Sequence, residues 1–90
     1  MSHTTESKGK LLARVHRIQG QVQAIEKALR LDQDCTEVLQ LIASTRGAMN
    51  GLMNEVVEGH IRHHVLSSKP TSAERKGAEE LIAIVRAYFK

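Results

Sequence analysis

Aromatic side chains are nearly absent from this chain, which has one tyrosine, one phenylalanine and no tryptophan in ninety residues. That excludes base stacking, the usual grip on RNA loops and single strands, as a main binding mode. The core must instead be built from Leu, Ile, Val, Ala and Met. Proline occurs once, so little interrupts a helix, and this palette favours helices packed on helices. Cysteine also occurs once. A lone cysteine forms no internal disulfide, and a reduced thiol in the cytoplasm is the simplest reading. The chain shows no signal peptide, no lipidation motif and no apolar run long enough for a bilayer, so no membrane partner is expected. A glycine-rich phosphate loop and an HExxH motif are also missing. Beyond Cys35 with a histidine there is no nucleophile–base pair, and so short a helical chain leaves little room for a substrate cleft; an enzyme is not expected.

What is present is a folded composition, 41% hydrophobic, with a modest net charge of +3. The charge is uneven. Residues 1–30 hold six bases (Lys8, Lys10, Arg14, Arg17, Lys27, Arg30) against Glu6 and Glu26, a balance of +4 that leaves −1 for the rest. A basic N-terminal third points to a polyanion partner. Ninety residues make one domain, 1–90, with a thin core, and oligomerisation is the common remedy for a thin core.

Residues 1–4 read as a flexible polar arm. A first helix is predicted from about Thr5 to Arg30, with Thr4 as cap and Glu6 in its first turn. Leu11, Val15, Ile18, Val22, Ile25 and Leu29 step alternately by four and three residues, a heptad seam. Lys10, Arg14, Arg17 and Gln21 form a second stripe on another face. A second helix begins near Cys35, with Asp34 and Glu37 spaced as a capping box, and runs to Val65 or Leu66. Gly47, Ala48 and Gly51 lie inside it and suit a close helix crossing. After Ser67-Ser-Lys-Pro70, a second capping box, Thr71 to Glu74, opens a third helix to about Phe89. Three helices cannot cover one as long as the second. The expectation is an all-α, three-helix protomer that pairs as an antiparallel four-helix-bundle dimer.

Cys35, His60 and His64 fall on one face of that long helix. Cys35 and His60 are 25 residues apart, a spacing that returns to nearly the same azimuth after about seven turns but spans about 37 Å. His60 and His64 are i, i+4 neighbours whose rings can converge on one ion. The thiol therefore cannot reach the imidazoles of its own helix, but it can reach those of an antiparallel second copy. A thiolate with imidazoles suits Ni, Co, Zn or Cu and excludes Mg and Ca. His3 is a candidate fourth ligand, joined by the amine of Ser2 if Met1 is removed. His63 points about 100° away from His64, and His16 lies in the basic stretch; neither reads as a ligand. Lys10, Arg14 and Arg17 are the candidate DNA surface, and Arg46 either extends it or pairs with a neighbouring helix. Each feature also has a plain reading. Isolated histidines and basic stripes are common on solvated helix faces, and a metal-buffering bundle without a DNA role has the same donors.

The stretch Arg14-Val-His-Arg17-Ile-Gln-Gly-Gln21, then Cys35, then Arg46-Gly-Ala-Met-Asn-Gly-Leu-Met53, then His60 with His64, and the closing Arg86-Ala-Tyr-Phe-Lys90 together resemble the CsoR/RcnR family of bacterial transcriptional repressors. The resemblance covers nearly the whole chain. It implies a dimer of dimers forming a disc-shaped tetramer, operator DNA bound by the ligand-free form, and release when an effector binds. It implies that Cys35 of one protomer shares a site with the later ligands of its dimer partner. Copper members carry a second cysteine where this chain has His64. Formaldehyde-sensing members carry an N-terminal proline where this chain has Ser2, and an acidic residue where it has His64. Nickel/cobalt members match at His3, Cys35, His60 and His64, so the resemblance implies Ni(II) or Co(II) as effector, with Zn(II) as a competitor, and control of a metal efflux gene. A formaldehyde-responsive repressor using Cys35 and the N-terminal amine is the alternative. The family's DNA-binding bases correspond to Arg14 and Arg17; Lys10 and Arg46 extend them by charge and position.

Overall fold

The computed structural model describes residues 7–65 and 69–88. Three α-helices run in chain order: α1 (Lys8–Arg30), α2 (Cys35–His60) and α3 (Ser72–Tyr88), with a π-helical turn over Ile61–Val65 directly after α2. The described residues contain no strand. The expected start near Thr5, the Thr4 cap and Glu6 lie outside the described residues. Within them α1 opens at Lys8 after Ser7, whose side chain makes no capping bond.

The first connection is tight because of one residue. Asp32 adopts φ 54°, a left-handed conformation that Asp tolerates better than most residues. Its N–H bonds to Leu29 O at 3.2 Å and the Gln33 N–H to Ala28 O at 3.0 Å. This is a Schellman stop with aspartate where glycine is usual. Four residues later the chain has turned back. From Gln21 to Arg14 along α1, the cross-helix partners move from Ser44 to Glu55 along α2, so the two helices are antiparallel. At the start of α2, Asp34 occupies the cap position, but its side chain makes no capping bond. Only its carbonyl accepts, from Glu37 and Val38 N–H at 3.0 and 3.1 Å. The box expected there is not closed. The box at Thr71 is engaged, since Glu74 N–H donates to Thr71 Oγ1 at 3.1 Å.

The long helix ends earlier than its periodicity suggests. α-Helical bonding stops at His60 and a wider π turn carries the chain to Val65. Such a turn shifts the azimuth of the residues beyond it, and turns of this kind occur often at functional sites. The third helix returns across this end. Ile61, Ala78 and Ile82 form a buried cluster with Val57 packed against it. Around it, Arg86 Nη2 donates to Glu58 Oε2 at 2.7 Å, Arg62 Nη1 to Glu79 Oε1 at 2.9 Å, and Arg62 Nη2 to Glu58 Oε1 at 3.4 Å.

Only Ile18, Ala28, Ile61, Ala78 and Ile82 are buried among the described hydrophobic residues, and α2 contributes none of them. The radius of gyration is 17.1 Å and the extents are 56 × 25 × 11 Å, where a compact chain of this length has a radius near 12 Å. The heptad seam of α1 is divided. Ile18 is buried while Val22 and Leu29 are 50% and 60% exposed. Gln21 reaches Ser44 on α2, and Ala28 is buried instead. On α2, Leu39, Ile42, Met49 and Met53 form an exposed apolar row at heptad spacing. A plate this thin leaves apolar rows exposed on both long helices.

Burial raises the Glu58 carboxyl pKa, but hydrogen bonds and charge from Arg86 and then Arg62 outweigh it and leave the group below the ordinary carboxylate range. A depressed pKa stabilises the fold at pH above the unfolded value, and this stabilisation is lost as pH falls through the folded value. Glu58→Gln should therefore lower stability by about 0.5–1 kcal/mol at neutral pH, with the gap to wild type closing in acid as Glu58 protonates. Urea melts at pH 7 and pH 3 measure this. Thr71→Ala should cost about 1 kcal/mol through loss of the α3 cap, read as a lower denaturation midpoint with an unchanged slope.

Candidate functional site

α2 positions the donors. Cys35 is its first residue and is exposed. His60 is its last α-helical residue and is also exposed. A helix of 26 residues holds its ends about 39 Å apart, so one chain cannot join the two donors. Consistently, no three His, Cys, Asp or Glu side chains converge among the described residues. His64 lies in the π turn, with its side chain outside the described residues. His3 and Ser2 lie outside the described residues altogether. The donors present are thiol and imidazole, which fit a borderline-soft divalent ion and not a hard one.

The basic stripe is placed differently from its heptad reading. Lys10, Ala13, Arg14 and Arg17 line one shallow depression on α1. Arg14 and Gln21, however, also face α2. Gln21 Nε2 donates to Ser44 Oγ at 3.1 Å and Arg14 Nη2 to Glu55 Oε1 at 3.4 Å. The stripe therefore borders the α2 contact, and its long side chains reach across to that helix. Lys10 Nζ reaches the other Glu55 oxygen at 3.2 Å. Gly51 lies beside this group. A Cβ built on it would stand 2.9 Å from Arg14 Nη1, whereas one on Gly47 would meet nothing within 4 Å. Gly51 thus makes room for an arginine of its own chain, and Gly47 remains open on the surface.

Arg46 is not part of that depression. It lines a separate groove with Leu39, Ile42, Ala43, Gly47 and Asn50, in the middle of the exposed apolar row. Sequence reasoning misses Glu55. Its Arg14 partner lies 41 positions away, so no local spacing announces it; its only sequence trace is an acid in a helix that pairs with a basic one.

The described residues thus form an all-helical hairpin with a basic depression on α1 and exposed thiol and imidazole groups at the two ends of α2. The profile of the family described as metal-sensitive transcriptional repressor matches residues 7–87. The chain belongs to this family, the CsoR/RcnR family of repressors, which are not enzymes. It is 48% identical over 91 residues, covering all of both chains, to a Serratia marcescens protein named "Uncharacterized protein in bioA 5'region". It is 41% identical over 90 residues, again covering all of both chains, to the transcriptional repressor RcnR of Salmonella typhimurium. A solved structure of a Glu-to-His variant of the formaldehyde-responsive regulator FrmR, from Salmonella enterica serovar Typhimurium, is similar with TM-score 0.67 and 41% identity. That likeness covers 94% of this chain and 96% of the other. No described helix is long and apolar enough to cross a membrane.

Proposed function

We propose that this protein is a cytoplasmic, nickel- or cobalt-responsive repressor of a metal efflux gene. Its ligand-free form binds operator DNA, and ion binding releases it. The observation that carries the reading is the separation of Cys35 and His60 at opposite ends of one straight helix. Two antiparallel copies bring each thiol to the other's imidazoles, and the exposed apolar rows on α1 and α2 give such copies a surface to share. The site then comprises Cys35 of one subunit with His60 and His64 of its partner, completed by His3 and the Ser2 amine. Two such dimers associate as a tetramer. Zn(II) competes where only four donors engage, whereas a fuller nitrogen-rich set favours Ni(II) or Co(II).

Lys10, Arg14 and Arg17 contact backbone phosphates, so affinity is largely electrostatic and falls steeply with salt. With no helix shaped to enter the major groove alone, the duplex is read more by shape than by base edges. Arg46 lines a groove in the apolar row, apart from the depression of Lys10, Arg14 and Arg17, where it either extends the phosphate surface or pairs with a neighbouring helix. By linkage, operator DNA weakens metal binding by the same factor as metal weakens DNA binding. The ligands must shed protons to bind, so the response fades in acid.

The formaldehyde-responsive reading is kept because one similar structure carries that description; it would use Cys35 and the N-terminal amine without metal. An anaerobic Co(II) titration of the reduced protein separates the two. A thiolate charge-transfer band with weak d–d bands, saturating at one ion per chain and absent in Cys35→Ala, is expected. No thiolate band would move the reading to the aldehyde. Cys35→Ala should also keep DNA binding and lose its release by metal.

Sharing across subunits has its own test. Cys35→Ala and His60→Ala chains, each inactive alone, should regain about a quarter of the wild-type cobalt sites when unfolded together and refolded, because each mixed dimer rebuilds one of its two sites. Recovery of none would mean the donors come from one chain.

A further inference from the structure

The three bases of the α1 depression are not equivalent. Lys10 Nζ lies 3.2 Å from Glu55 Oε2, and Arg14 Nη2 lies 3.4 Å from Glu55 Oε1. One carboxylate of α2 thus bridges two bases, one oxygen to each. Arg17 has no such partner among the described residues. Gly51, one turn before Glu55, leaves the space that the Arg14 guanidinium occupies, since a Cβ there would stand 2.9 Å from Nη1. Glu55 and Gly51 together form a seat for Arg14 on the flank of α2. Two oxygens spanning an ammonium and a guanidinium are also what a DNA phosphate presents to a basic surface.

We propose that Glu55 is an intramolecular stand-in for a DNA phosphate: it holds Lys10 and Arg14 in the DNA-free protein, and a backbone phosphate displaces it when a duplex binds. This rests on the reading of Lys10, Arg14 and Arg17 as the DNA surface. The carboxylate reduces the charge that Lys10 and Arg14 offer from +2 to +1, so two of the three bases bind DNA by exchange and only Arg17 by simple addition. The pairs are partly exposed, with side chains 64%, 37% and 32% accessible for Lys10, Arg14 and Glu55, and ion pairs of that kind are weak enough to be displaced. Glu55 stands five residues before His60 on the same helix. A shift of that end of α2 against α1 therefore changes whether the carboxylate still reaches the two bases.

The test uses metal-free, full-length protein and a labelled mixed-sequence duplex, with affinity followed from about 50 to 200 mM salt. Glu55→Gln should bind at least about threefold tighter at the low-salt end, with a log–log salt slope steeper by about 1 per contacting chain. A Lys10→Ala/Arg14→Ala background should abolish that gain. Gly51→Ala keeps every charge but crowds Arg14 off α2, and it should also tighten binding; it serves as the second variant should Glu55→Gln not fold. A residue with a purely structural role would weaken binding when replaced and would not steepen the slope. The proposal is overturned if Glu55→Gln binds no tighter, with an unchanged slope, while Arg14→Ala binds more weakly than wild type. If Arg14→Ala binds as wild type does, the DNA reading of the stripe itself is wrong, and the proposal falls with it.

Discussion

A straight helix cannot bring its own ends together, and most of this molecule is arranged around that constraint. α2 holds Cys35 at its first residue and His60 at its last. Both are donors with a taste for the same ions, and both are exposed at opposite ends of a rod. The rod buries nothing fully against its own chain, because α1 covers one flank and α3 only the far end. What remains is an apolar row from Leu39 to Met53 facing outward. Length, unburied surface and separated donors are one geometric fact seen from three sides, and the antiparallel second copy of the proposed function would answer all of them.

The polar contacts are distributed in keeping with this. At the far end of α2, a small apolar cluster of Ile61, Ala78 and Ile82 is surrounded by Glu58, Arg62, Glu79 and Arg86. The hydrogen bond to Glu79 is the largest cause of an upward shift of the Arg62 guanidinium pKa from its already high ordinary value. This bond ties α3 to the π turn that carries His63 and His64, so the histidine-bearing end is braced from outside. In the middle of the hairpin, polar contacts cross between the helices on either side of buried Ile18: Gln21 with Ser44, and Arg14 with Glu55. Polar contacts of this kind set the register of two helices but add little stability. They also tie the bases of α1 to the helix that holds the donors, which a purely apolar seam would not do.

Some features are plain from local pattern. Thr71, three residues before Glu74 and next to Pro70, marks the start of α3, and the cap bond is made there. The same spacing at Asp34 and Glu37 marks the right helix start but the wrong contact, since the side chain of Asp34 does not close on the backbone. The spacing is permissive; the bond also depends on how the preceding turn delivers the residue. That turn is governed by Asp32 in a left-handed conformation, which aspartate neither requires nor advertises. The π turn after His60 leaves no trace in the periodicity either, because an apolar row at three- and four-residue steps continues through it nearly unbroken.

By itself, the order of residues determined the helical class, the positions of three helices to within about a turn or two, the basic bias of the first, and the fact that Cys35 and His60 share an azimuth but not a neighbourhood. These follow from period, composition and the fixed rise of a helix, which are local quantities. Only the tertiary structure decided which flank of α1 meets α2. It therefore decided that Arg14 and Gln21 turn toward α2 while Val22 and Leu29 turn away, that Gly51 serves an arginine of its own chain, and that Glu55 sits between two bases. Those outcomes depend on the rotation of one helix about its axis against another. That rotation is set by the sum of many weak contacts between residues far apart in the chain, and no local pattern records it.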